Sequence, residues 1–231
     1  MTSTPTDAAP GVDTPGVAAP QDPQLEARLR TTGLSAVLEE AIRPGCERVV
    51  TYLADPTATG SRSSYAAWLR RQVHAWSELR LPAVSVAAVD WPLASVRPQC
   101  LDVVGLLIAD LRELNPRLRP TIVPRQASGV ELPQPGIVIA SVYLCVRLAA
   151  APARLLDAAR AVTEGPTHLH SATRYLARCA DLAERAPGLR REIDSWSTSA
   201  GPVQTQLAVL TARSYAHRLA EALDARVSAG W

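Results

Sequence analysis

Residues 136–151, GIVIASVYLCVRLAAA, decide the fold class of this chain of 231 residues. Apolar side chains surround nearly the whole helical circumference of this segment, and Arg147 is its one charged member. A helix without a wide polar face is typical of a buried position. Because Arg147 and Pro152 interrupt the apolar stretch, the pattern indicates a central core helix and excludes a membrane span.

Helical periodicity extends from this segment in both directions, and no alternating apolar–polar strand pattern bounded by turns is found. A short helix is predicted from Leu25, stopped by Gly33. A second helix, capped by Ser35, is predicted to run to about residue 54 with a bend near Pro44. A third opens at residues 61–64 and ends at Pro82.

The rest of the chain is also predicted to be helical. One helix lies within 92–114, and a proline-rich loop over 115–136 separates it from the central helix. Helices over 171–185, 188–196 and 203–226 follow, separated by Pro187 and by Gly201-Pro202. The sequence therefore predicts an all-α, single-domain bundle of about seven helices over 25–231.

The first 24 residues form a different kind of segment. They contain five prolines and no aromatic or long aliphatic side chain. Such a segment cannot bury enough surface to offset the entropy of ordering it, so a disordered tail is predicted over 1–24.

Composition excludes several functions. The 24 basic residues are all arginine, which removes lysine Schiff-base chemistry and phosphate-binding loops that end in lysine. The net charge is only +2 and the arginines are spread along the chain, which argues against binding to nucleic acid. Cys46, Cys100, Cys145 and Cys179 form no Cys-x-x-Cys pair and no secretory leader precedes them, so we predict a cytoplasmic protein with reduced thiols.

After residue 34 the order and spacing of the helices resemble the bacterial heme oxygenase family. The resemblance rests on LEEAIRPGCERV around Leu38, on SYAAWL with Tyr65, on Asp110-Leu111, on SVYLCVRLAAA, and on SATRYLARCADL and TARSYAHRLAEAL near the end. It implies a heme-oxygenase-like helical bundle.

The same resemblance implies that the heme site is lost. The position of the family's iron-ligating histidine holds Cys46, and its distal glycines correspond to Cys145 or Val146 and to Ala149. Side chains at these positions would fill the volume of heme and oxygen. Two alternatives remain for Cys46, which is either a thiolate ligand of heme or a small buried apolar residue.

The remaining cavity supplies the candidate ligand-binding residues. An arginine inside a buried helix requires an anionic partner, so Arg147 either pairs with a carboxylate such as Asp110 or awaits an anionic ligand. The candidates for lining this cavity are Tyr65, His74, Tyr143, Cys145, Arg147 and His217.

No metal site is predicted. His74 and Glu78 stand at i, i+4, which suits one metal ion, but the central helix carries neither carboxylate nor histidine and a complete di-metal set is missing. A surface hydrogen-bonded pair is the simpler interpretation. His168 and His170 are likewise interpreted as solvent-exposed residues near a helix start.

Three functional hypotheses follow. The first is a heme-oxygenase-like protein without a competent heme site that serves small-molecule biosynthesis, as an enzyme or its accessory subunit, with a small and perhaps anionic ligand. The second is a non-catalytic subunit of a heteromeric complex, or a homodimer, that uses an apolar helix face. The third is a divergent heme oxygenase with Cys46 as axial ligand. Heme is otherwise not expected as a cofactor.

Overall fold

The computed structural model describes residues 23–78, 91–115, 134–163 and 172–228, and within these ranges the chain is all-α. The predicted all-α, single-domain bundle is confirmed. Two 3-10 turns, Pro56–Thr59 and Pro98–Leu101, accompany seven α-helices in the described ranges, where no strand is present. These are α1 Pro23–Thr32, α2 Leu34–Leu53, α3 Arg62–Glu78, α4 Val103–Leu114, α5 Pro135–Ala153, α6 Leu156–Thr163 and α7 Arg174–Ser228.

The central position of α5 is confirmed. The helix packs chiefly against α7 and α2, and its side chains are buried on all faces between Val138 and Val146. Its length and apolar composition would also allow it to cross a membrane, but 78% of that stretch is buried inside the protein. The apolar surface of α5 is thus used by the core.

Two glycines let helices approach α7 closely. A Cβ atom on Gly45 would lie 2.7 Å from the backbone carbonyl of Ala216, and one on Gly136 would lie 2.4 Å from the carbonyl oxygen of Gln204. Both distances are far below van der Waals contact. The absence of a side chain at these positions therefore sets how near α2 and α5 come to α7.

The prediction of a break at Pro187 is wrong. The helical dihedral angles of α7 continue through Pro187, and the chain departs from them at Gly201, with φ 74° and ψ 162°. A proline inside a helix costs one backbone hydrogen bond. Here Leu182, Leu189 and Ile193, on both sides of Pro187, are all buried in the core, and this packing holds the two turns in line. The predicted break at Gly201-Pro202 is confirmed.

The N-terminus of α2 is capped from another helix. Ser35 was expected to be the cap, but its backbone N–H and hydroxyl donate to Asp194 of α7, at 2.7 and 2.9 Å. The residue at the cap position is Gly33, which has no side chain to accept a hydrogen bond. The prediction that Ser35 caps this helix is therefore wrong, because a carboxylate distant in sequence does so instead.

Other boundaries differ from expectation. The helix predicted within 92–114 is shorter, since α4 begins at Val103 after a 3-10 turn and is capped by Asp102, which accepts from the Gly105 N–H at 3.1 Å. The short α6 was not predicted, and α1 begins at Pro23, two residues early. Most of the predicted tail over 1–24 and of the loop over 115–136 lies outside the described residues.

Candidate functional site

Arg147 is paired with Glu39 of α2 at a partly buried position. Its Nε donates to the two carboxylate oxygens of Glu39 at 2.8 and 3.1 Å. The Tyr143 hydroxyl, one turn earlier on α5, donates to Glu39 Oε2 at 2.9 Å. An internal pair was one of the two predicted outcomes for Arg147, but the partner named for it, Asp110, is wrong.

The electrostatics of this cluster favour the ion pair. Burial disfavours ionisation of Glu39, but the hydrogen bonds from Arg147 and Tyr143 and the charge of Arg147 outweigh it and lower its pKa. Burial and the adjacent carboxylate raise the pKa of the Tyr143 hydroxyl. Arg147 and Glu39 therefore stay charged at neutral pH, and their contacts join α5 to α2.

The residues that the resemblance to heme oxygenases predicts at a heme site are buried in this structure. Cys46 is 1% exposed, and burial raises the pKa of its thiol to about 12, so it is protonated at neutral pH. Only a thiolate ligates iron well. On α5, Cys145, Val146 and Ala149, which the resemblance predicts to stand in place of the family's glycines, are all buried.

Tyr65 belongs to an aromatic cluster in the core. Its hydroxyl donates to the carbonyl of Ala172 at 3.0 Å, and its ring stacks on Trp68 at 5.8 Å between centroids. Beside it, the Tyr175 hydroxyl accepts from Trp76 Nε1 at 2.7 Å. These contacts help to pack α3 against α7, and Tyr65 is fully buried among them.

The described ranges include two of the four histidines, His74 and His217. His217 is exposed on α7, where its Nε2 lies 3.2 Å from Glu221 Oε1, and its assignment to a ligand cavity stays a prediction. His74 is half-buried on α3. The side chain of Glu78, and residues His168 and His170, lie outside the described part of the chain. Among the described residues, no group of three His, Cys, Asp or Glu could hold a metal ion.

Asp110 is a buried carboxyl that the sequence analysis gave as one possible partner of Arg147. It instead accepts the backbone N–H of Tyr175 at 2.9 Å and so caps the N-terminus of α7 from α4. Burial raises its pKa to about 6, against the opposing effect of the backbone hydrogen bonds and of Arg174, 3.7 Å away.

An open groove lies where the C-terminal ends of α2 and α7 meet the turn before α3. Its volume is about 440 Å³, within the range of pockets for small organic ligands. Buried apolar residues Val49, Ala220 and Leu223 contribute to its lining. We call it the α2–α3–α7 groove, and its full lining is Arg48, Val49, Thr51, Tyr52, Asp55, Pro56, Arg71, Ala220, Leu223 and Asp224.

Two arginine–aspartate pairs contribute to the lining of this groove. Arg71 Nη2 lies 3.3 Å from Asp55 Oδ2, and Arg48 pairs with Asp224. Asp55 is fixed in turn by Thr57, whose N–H and hydroxyl donate to Oδ1 at 2.9 and 2.6 Å. These hydrogen bonds and the charge of Arg71 outweigh desolvation and lower the pKa of Asp55, so it stays ionised.

None of the six residues predicted to line a cavity belongs to this groove. Tyr143 and Cys145 are buried on α5, where Arg147 is partly exposed. Tyr65 and His74 lie on α3, and His217 faces solvent. The groove was missed because three distant segments build it, and each alone has the pattern of an ordinary charged helix surface. The sequence did contain one signal for a turn at this place, Asp55-Pro56, in which a capping residue precedes a proline that starts a helical turn.

No protein-family model, curated protein or solved structure matches this chain. The class of protein is therefore described from the fold and the groove alone. It is an all-α, single-domain protein with a packed interior and an open, charged groove. The resemblance to bacterial heme oxygenases stays a prediction.

Proposed function

We propose that this chain is a small-molecule-binding protein of cytoplasmic metabolism, acting within a biosynthetic enzyme or as its accessory subunit, with its ligand in the α2–α3–α7 groove. The observation that carries the proposal is the groove itself. It combines ligand-sized volume, an apolar lining and fixed charged groups, which is the usual composition of a binding site for a small organic molecule.

The residues predicted to line a cavity near α5 support a site in the groove, because they already contact other groups or are buried. Arg147 is neutralised by Glu39, and the thiols of Cys46 and Cys145 are protonated and buried. A general base or nucleophile needs an accessible group with a pKa near the working pH. These residues stabilise the fold, which leaves ligand recognition to the surface.

The four cysteines support a cytoplasmic location. None forms a disulfide, and Cys46, Cys145 and Cys179 are buried. Free thiols are typical of proteins in reducing compartments.

A blocking substitution tests the proposed site. Thr51 is exposed on α2 and lines the groove, so Thr51→Trp would fill the groove without changing the core. Thr198→Trp is the matched control, because Thr198 is also exposed in a helix and also bonds its hydroxyl to a preceding carbonyl. We would measure saturation-transfer NMR with a library of small carboxylic acids, amines and neutral aromatic molecules.

The expected result is binding to the wild type and to Thr198→Trp that is lost in Thr51→Trp. Thermal unfolding of both variants would check that the fold is kept. If no library member binds, or if binding persists in Thr51→Trp, the groove is not the functional site.

We also propose that this heme-oxygenase-like chain binds no heme. The support is the buried, protonated Cys46 and the filled positions on α5. Titration with hemin should leave the Soret band as it is for free hemin, in the wild type and in Cys46→Ala alike. A shifted band that disappears in Cys46→Ala would instead support the divergent heme protein.

A second candidate function is that of a non-catalytic subunit. Val203 and Leu210 stand at i, i+7 on α7 and are 54% and 45% exposed, which suits contact with another protein. A partner that co-purifies in a one-to-one ratio and is lost on Leu210→Glu would support it. A monomeric chain that recovers no partner from its own cells would exclude it.

A further inference from the structure

Asp55 and Arg71 of the α2–α3–α7 groove differ in how many hydrogen bonds each could still form with a ligand. Asp55 accepts hydrogen bonds from the Thr57 N–H and hydroxyl and contacts Arg71, so three of roughly four acceptor positions on its carboxylate are used. A guanidinium has about five N–H donors, and Arg71 uses one of them on Asp55. The Arg71–Asp55 pair therefore still has unused N–H donors on Arg71 and almost no unused acceptor positions on Asp55.

Arg71 is also held in place. Its partner Asp55 caps the turn Pro56–Thr59 through the backbone N–H of Thr57, which fixes the carboxylate relative to the chain. Asp55 and Arg71 are partly buried, with side chains 29% and 37% exposed. A guanidinium that is already oriented loses less entropy when it binds a carboxylate than a mobile side chain does.

Arg48 contributes a second guanidinium to the lining. It is about half exposed and pairs with Asp224, which leaves most of its donors available for a ligand. Val49, Ala220 and Leu223 add the apolar part of the groove. The lining therefore offers donors together with apolar contact.

We infer that the α2–α3–α7 groove binds an organic anion with an apolar body, whose carboxylate lies on the guanidinium of Arg71. This inference rests on the proposed function and names its ligand class. The apolar body lies along Val49 and Leu223, and Arg48 contributes further N–H donors. Arg147, the residue first considered for an anion, pairs with Glu39 and does not line this groove.

A series of molecules that share one body tests the charge preference. The probes are 3-phenylpropanoate, 3-phenylpropanamide and 3-phenylpropylamine, titrated into isotopically labelled protein and followed by NMR. The carboxylate should bind most tightly and shift the amide signals of groove residues, and its affinity should fall as salt is added. The amide should bind more weakly, without that salt dependence.

Arg71→Gln tests the residue, with Arg70→Gln as its matched control. Arg70 is the exposed neighbour on α3 and does not line the groove. Loss of one charge-assisted contact should weaken carboxylate binding about tenfold to hundredfold in Arg71→Gln and leave it unchanged in Arg70→Gln.

The outcomes separate this inference from the proposed function. Equal effects of the two substitutions, or equal binding of the amide or the amine, would overturn the anion assignment. The same holds if 3-phenylpropanoate does not bind. The proposed function survives these results if other library members still lose binding in Thr51→Trp, and it fails only if none does.

Discussion

Asp110→Asn should remove a pH dependence of stability that the buried carboxyl imposes. The carboxyl has an ordinary pKa of 3.8 and titrates at about 6 in the folded protein. Between these pH values the folded state holds more protons than the unfolded chain, so its free energy of unfolding falls as the pH rises. The contribution of Asp110 to the free energy of unfolding is therefore most favourable below about pH 4. It declines between about pH 4 and pH 6 and is constant above about pH 6. Each unit of difference between the two pKa values changes the free energy of unfolding by about 1.4 kcal/mol, so the total change is about 3 kcal/mol.

Asparagine suits this test because its side-chain oxygen can still accept the Tyr175 N–H and cap α7. We would measure urea unfolding by circular dichroism for both proteins across pH 4 to 7. The expected result is that Asp110→Asn gains stability relative to the wild type as pH rises, by about 3 kcal/mol over that range. Parallel curves would refute the reasoning. Asp110→Ala, which also removes the cap, should lie about 1 kcal/mol below Asp110→Asn at every pH.

Three further predictions concern packing and thiols. Gly45→Ala should destabilise the protein by about 1–3 kcal/mol in urea, since its Cβ would clash with the backbone of α7, whereas Gly188→Ala has room and should stabilise it by about 0.5–1 kcal/mol. Arg147→Ala should cost about 1–3 kcal/mol by leaving Glu39 without its ion pair, and Glu39→Gln in the same chain should recover part of that loss; no loss in the single variant would contradict the role of the pair. A thiol reagent should label Cys100 first in the native protein, because Cys100 is only partly buried. Rapid labelling of the native protein at the other three cysteines would contradict their burial; these are Cys46, Cys145 and Cys179.

The sequence was sufficient where one helix carried the whole signal. Apart from Arg147, residues 136–151 are almost entirely apolar around the helix, so a central α5 follows from composition and helical geometry alone. The break at Gly201 was also predictable from local sequence, because Gly201 is followed by Pro202. At Pro187 the local rule failed, because buried neighbours such as Leu189 offset the cost of the proline.

The site depended on distances that a sequence does not contain. The pattern showed that Arg147 needs a carboxylate, but Glu39 and Asp110 differ as partners only through how α2, α4 and α5 are placed. The groove is a stronger case, because it joins the ends of α2 and α7 with one residue of α3. No periodicity relates segments that lie so far apart in the chain.

Capping between helices also bears on how this protein folds. The cap of α2 comes from Asp194, 159 positions from Ser35, and the cap of α7 comes from Asp110, 65 positions from Tyr175. Each bond can form only after a long loop has closed, at an entropic cost that must be met first. The first turns of α2 and α7 thus gain their stability together with the tertiary structure. Peptides covering either helix alone should fray at their N-termini, and the assembled bundle should unfold as one cooperative unit.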